Sequence, residues 1–162
     1  MDAIEQAARQ PSFFEDPVNL PDEVSSRYNL VMLHLFLLTN RIAPENPKLA
    51  QQVHDRYFIN LDRYLREVGV SDARMATRVH QMVERFYGFS ATLHATLNDH
   101  SALSETISRN LFSQNEQTAA SNQLAGYCQL SQQQLSSLPL AALPAAAQSA
   151  SLFPVFDKEI GA

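Results

Sequence analysis

Apolar side chains recur every three to four positions along most of the chain, which is the period of a helix face, and the strict alternation of a half-buried strand is nearly absent. The strongest signal spans Pro21–Ile42. Pro21, Asp22 and Glu23 suit a helix N-terminus. Val24, Tyr28, Val31, Leu35, Leu38 and Ile42 share one face, and Met32, Leu33, Phe36 and Leu37 cover most of the rest. A helix apolar on nearly every side is predicted to run through the centre of a fold. Ala43–Pro47, with two prolines, ends it.

A second helix is predicted from about Pro47 to Val68, with Val53, Tyr57, Leu61, Tyr64, Leu65 and Val68 as its inner stripe. Gly69 follows where a left-handed cap is wanted. Ser71 or Asp72 can cap a third helix carrying Met75, Val79, Met82, Val83 and Phe86, which Gly88 is expected to close. Phe89, Leu93 and Leu97 continue the pattern. Two more helices are predicted near 102–112 (Leu103, Ile107, Leu111) and 116–138 (Leu124, Tyr127, Leu130, Leu135, Leu138). The remaining stretch holds three prolines between Pro139 and Phe156 and reads as an extended strap.

The fold class that follows is all-α: a single compact bundle of about six helices with an irregular Pro/Ala-rich C-terminal tail. The expected organisation is an N-terminal segment over 1–20, a helical domain over 21–138 and a tail over 139–162. If the tail folds back, Leu152–Phe156 (LFPVF) would cover an apolar groove and be displaced by a bound client.

Charge sharpens this picture. Residues 1–100 contain ten Lys or Arg and thirteen Asp or Glu, whereas between Arg109 and Asp157 the only formal charge is Glu116. The net charge of -5 argues against nucleic acid as the main partner. The longest apolar run, Leu30–Leu38, is far shorter than the roughly 20 residues of a membrane span. The first residues have neither the apolar core of a secretory signal nor the Arg-rich, acid-poor character of a transit peptide, so a cytoplasmic location is expected. One cysteine, Cys128, leaves no intrachain disulfide and no Cys-rich zinc site.

Most catalytic signatures are missing. The glycines lie too far apart for a phosphate-cradling loop, and Gly88-Phe89-Ser90-Ala91-Thr92 lacks the second glycine of a nucleophile elbow. None of the five histidines has an acid three residues before it, as helical di-iron sites require. No cofactor, metal or small-molecule substrate is therefore expected. Two features keep an alternative open: His34 on the apolar helix as a haem or metal ligand, and the i,i+4 pair His80 and Glu84. Either would suit a helical enzyme or a haem- or metal-handling protein.

Two polar features stand out. Asp62 and Arg66, and Arg63 and Glu67, are each one turn apart, and Arg66, Glu67 and Asp72 flank Gly69, where an arginine–carboxylate pair could fix the angle of a helix corner. Beyond it, Arg74, Arg78 and Arg85 project within about 40° of one another at 100° per residue, with Gln81 beside them and Met75 and Met82 alongside. A basic row bordered by methionines suits a partner that is both anionic and apolar, such as a membrane-protein loop, lipid headgroups or ribosomal RNA.

The string from Leu61 to Gly88, LDRYLREVGVSDARMATRVHQMVERFYG, resembles the signature of the ubiquinol–cytochrome c chaperone family. Its D-x-x-L-R-E-x-G-V-x-D core falls on Asp62, Leu65, Arg66, Glu67, Gly69, Val70 and Asp72, and its F-Y-G on Phe86, Tyr87 and Gly88. Leu33-His34, Arg41, Arg109-Asn110 and the helix around Tyr127 are similar too, so the resemblance covers roughly 25–138. Two departures are Phe89, where members often carry arginine, and the Ala/Pro-rich tail. The resemblance implies a non-enzymatic, bacterial assembly factor of the cytochrome bc1 complex. Its client would be newly made cytochrome b, met at the cytoplasmic face of the inner membrane, with the membrane surface or the ribosome as further contacts. On that reading Arg74, Arg78 and Arg85 supply electrostatic contact and Met75, Met82, Tyr87 and Phe89 apolar contact. Asp62, Arg66, Glu67, Gly69, Asp72, Phe86 and Gly88 then form the structural motif.

Overall fold

The structure is a computed structural model that describes residues 2–67, 69–112 and 118–157, the side chains of Asp2, Val24, Asp62, Arg63, Tyr64 and Glu67 excepted. Seven α-helices and no strand are found among these residues: α1 (Asp2–Ala8), α2 (Val24–Ile42), α3 (Pro47–Glu67), α4 (Asp72–Thr96), α5 (His100–Leu111), α6 (Ala119–Ser137) and α7 (Leu143–Gln148). Short 3₁₀ turns at Pro11–Phe13 and Leu140–Ala142 complete the chain. The expected inner positions of Val24, Tyr64 and Val68, and the pairings of Asp62 and Arg63, lie outside the described residues.

α2 occupies the centre, as its all-round apolarity requires. It touches α1, α3, α4, α5 and α6, and every side chain from Met32 to Thr39 is buried. The helix begins at Val24 rather than Pro21, and Arg27 holds Asp22 at 2.6 Å across its first turn. Thr39 donates its hydroxyl hydrogen to Leu35 O at 2.8 Å, so Thr39 Oγ1 itself accepts from His54 Nε2–H at 3.0 Å.

The break expected at Gly88 does not occur. α4 runs straight through it to Thr96 because Phe86, Phe89 and Leu93 stay on one buried face across it. An interior glycine costs a helix only about 1 kcal/mol, less than burying those three side chains returns. The last long helix opens on a capping box in which Thr118 accepts from Ser121 N and Ser121 Oγ accepts from Thr118 N.

The ends of the chain are the larger departure. Residues 140–148 are largely helical rather than irregular, and α7 packs on α1. Ser151–Asp157 is the non-helical strap, and its Leu152, Phe153 and Phe156 enter the main core beside Phe13. Ile4, Ala7 and Ala8 of α1 belong to the same core. No helix among the described residues is long and apolar enough to cross a membrane.

Candidate functional site

Arg74, Arg78 and Arg85 are all exposed along one face of α4, and none has an ion-pair partner among the described residues. Eleven residues at 1.5 Å each stretch this row over about 16 Å. Tyr28 lies beside it and donates its hydroxyl to Met82 O at 3.1 Å. Burial pushes the Tyr28 phenol up to about 12, against the opposing pull of Arg85 and Arg78.

The apolar residues expected to flank the arginines do not gather there. Met75 is only 4 % exposed and packs with Leu61 and Leu65 in a small core at the outer end of α3 and α4, with Val70, Val79 and Met82 partly buried around it. Phe89, also 4 % exposed, lies in the main core. Their spacing from Phe86 and Leu93 puts them on the inward face, and a helix has one inward face to fill. Tyr87 is 48 % exposed, yet it sits about 140–180° around α4 from the arginines and stacks edge-on against His54. Only Met82 remains half-buried at the rim of the basic row.

The corner between α3 and α4 keeps its expected shape. Gly69 adopts φ +87°, and a Schellman cap forms as Val70 N–H bonds Leu65 O at 2.9 Å and Gly69 N–H bonds Arg66 O at 3.1 Å. Val70 then packs on the core that includes Leu65. Arg66 pairs with Asp72 across the corner, but their side chains are 52 % and 85 % exposed, so this pair adds at most about 1 kcal/mol. The Asp62 and Glu67 side chains lie outside the described residues. Phe86 is buried edge-on between His54 and Phe58.

The ligand candidates are otherwise engaged. His34 is fully buried, with Nδ1 2.7 Å from Leu30 O and Nε2 2.8 Å from Tyr127 Oη. A carbonyl only accepts, so Nδ1 carries the proton, Nε2 accepts, and Tyr127 donates. Both ring nitrogens are thereby used, and burial lowers the imidazole pKa to about 4. His80 and Glu84 approach to 3.3 Å on an exposed surface, and no cluster of three metal-ligating side chains exists among the described residues. Cys128 is fully buried, and burial pushes its thiol far above the nucleophilic range.

Sequence reasoning missed how the two ends of the chain meet. Phe13, Phe153 and Phe156 surround His34 and Tyr127 at centroid distances of 4.8–5.9 Å. The apolar string LFPVF signalled a strap over an apolar groove, but Gln10, which binds that string, carries no local mark of its role.

The sequence from residue 16 to 150 matches the family model described as ubiquinol-cytochrome C chaperone. The chain belongs to that family. The crystal structure of the Cbp3 homolog from Brucella abortus is similar to it, with a TM-score of 0.79 and 30 % sequence identity, covering 96 % of this chain and 86 % of that one. No curated protein matches. Membership in a chaperone family implies a client protein and points to a binding role rather than a catalytic one, and the matched residues 16–150 include the α3–α4 corner and the basic row.

Proposed function

We propose that this protein is a non-enzymatic assembly factor for the cytochrome bc1 complex that binds newly made cytochrome b at the cytoplasmic face of the inner membrane. The observation that carries the reading is the family match over residues 16–150. Arg74, Arg78 and Arg85 suit the electrostatic part of the contact: three guanidiniums in a row without an ion-pair partner among the described residues, on a protein of net charge -5, form a local positive field that an anionic partner neutralises. Met82 supplies an apolar rim. Tyr87 lies on the other flank of α4, against His54, and takes no part in this row.

Affinity purification of the tagged protein from native membranes tests this. Cytochrome b is expected to be enriched with the wild type, and replacing all three arginines by glutamine should reduce the yield while leaving the fold intact, since all three are exposed. A wild-type preparation that never enriches cytochrome b, together with normal bc1 levels after deletion, would sink the proposal.

A further inference from the structure

The chain ends close on each other over the aromatic centre of the bundle. Gln10, just after α1, grips the strap Ser151–Asp157 by its main chain: Nε2 donates to Pro154 O at 3.2 Å, and Oε1 accepts from Phe156 N–H at 2.7 Å. From α6, Gln134 Nε2 donates to Ser151 O at 2.8 Å. Two side-chain amides therefore bind the strap much as a neighbouring strand would, reading backbone and leaving side-chain choice to the pockets beneath.

Those pockets select apolar residues. Leu152, Phe153 and Phe156 are buried, Phe153 edge-on to His34 at 4.8 Å and Phe156 against Phe13 at 4.9 Å. Val155, between them, is exposed. The strap leaves α7 through Ala150 at φ +56°, a left-handed conformation that disfavours a Cβ. The cleft is also larger than its occupant. A cavity of about 280 Å³ lies between α1 and the strap, walled by Ala3, Ala7, Leu152 and Val155 with Gln6 at its edge.

We propose that the cleft beneath the strap, walled by the end of α1, Phe13, His34 and Gln134, is a peptide-binding groove, held in the resting protein by the strap Ser151–Asp157, and that its partner is an extended apolar segment of a client protein with aromatic side chains spaced like Phe153 and Phe156. A second copy's strap would fill only the volume this strap already fills and leave the adjoining cavity empty, whereas a bulkier client segment occupies both. That the partner is a client rests on the chaperone reading; the groove does not depend on the client being cytochrome b.

The test uses full-length protein and a fluorescent peptide of the sequence Ala150–Asp157. Opening the groove with Phe153→Ala and Phe156→Ala together should expose it to peptide. A strap seated about nine-tenths of the time weakens apparent affinity about tenfold, so this variant is expected to bind at least about tenfold tighter than wild type. Adding Gln10→Ala should abolish the gain, and a peptide with both phenylalanines replaced by alanine should not bind. Opened protein that stays helical but binds no peptide overturns the proposal, as does dimerisation without peptide binding, which assigns the groove to a second copy. Should the opened variant lose its helicity, hydrogen exchange on wild type decides: the Phe156 amide is expected to exchange at least about 100-fold faster than that of Leu35, by local opening. Equal protection overturns the groove. Peptide binding without cytochrome b capture would remove the cytochrome b reading alone, and the reverse would remove the groove alone.

Discussion

His34 and Tyr127, 93 positions apart, hydrogen-bond at 2.8 Å in the fully buried centre of the bundle. Leu30 O fixes the imidazole from the other side at 2.7 Å, so a single tautomer joins α2 to α6. The ring is closed off by Phe13 near the N-terminus and Phe153 near the C-terminus. This polar pair is the point on which both chain ends converge.

Tyr127→Phe removes one hydroxyl and leaves His34 Nε2 buried without a donor. The expected loss is about 1–3 kcal/mol of unfolding free energy, measured by urea denaturation at pH 7, with helical content unchanged. A double change that also replaces His34 by an apolar residue of similar size should cost less than the sum of the two single changes.

Acid should destabilise the fold before most carboxylates titrate. His34 is held neutral with its pKa depressed to about 4, and half-buried His54 is shifted the same way, chiefly by desolvation. The unfolded chain binds these protons first, so stability is at its full value above about pH 6.5 and falls as pH drops from there towards 4. For His34 alone the loss is roughly 3 kcal/mol, and urea midpoints between pH 7 and 4.5 measure it. Replacing His34 should flatten most of that slope.

Arg41 closes the C-terminus of α6 from α2. Its Nε donates to Leu135 O at 3.0 Å and one Nη to Leu138 O at 2.9 Å, while the other pairs with Glu45. Lysine cannot reproduce that fork. Arg41→Lys is expected to cost about 1–3 kcal/mol and to speed exchange of the α6 C-terminal amides. Glu45→Gln, losing only an exposed pair, should stay within about 1 kcal/mol.

At the α3–α4 corner, backbone should outweigh charge. Gly69→Ala forces a Cβ into the left-handed region and is expected to cost about 1–2 kcal/mol, although no atom lies within 4 Å of that Cβ. Asp72→Asn should change stability by less than about 1 kcal/mol. Thermal melts of the two variants side by side distinguish the terms.

Ala150 is the reverse case. Its φ of +56° carries strain that glycine would relieve, and Ala150→Gly is expected to raise stability by about 0.5–1 kcal/mol after the extra freedom glycine gives the unfolded chain. A higher denaturation midpoint with an unchanged m-value is the expected result.

Local pattern settled much of this protein. All-round apolarity marked α2 as the central helix, Gly69 marked a left-handed cap, and the string Leu61–Gly88 carried the family resemblance, because each depends on residues a few positions apart. Three matters waited for the packing. Met75 and Phe89 turned inward while Arg74, Arg78 and Arg85 stayed outside, since α2, α3 and α5 pack on the apolar face of α4 and leave neither residue free to flank the arginines. Gly88 failed to end a helix because long-range burial outweighed its local cost. And a run such as Leu152–Phe156 states only that it is apolar; whether it crosses to Gln10, Phe13 and His34 depends on contacts more than a hundred residues away. Helix faces follow from neighbours along the chain, whereas the meeting of the two ends over His34 and Tyr127 follows from closing the whole chain around one core.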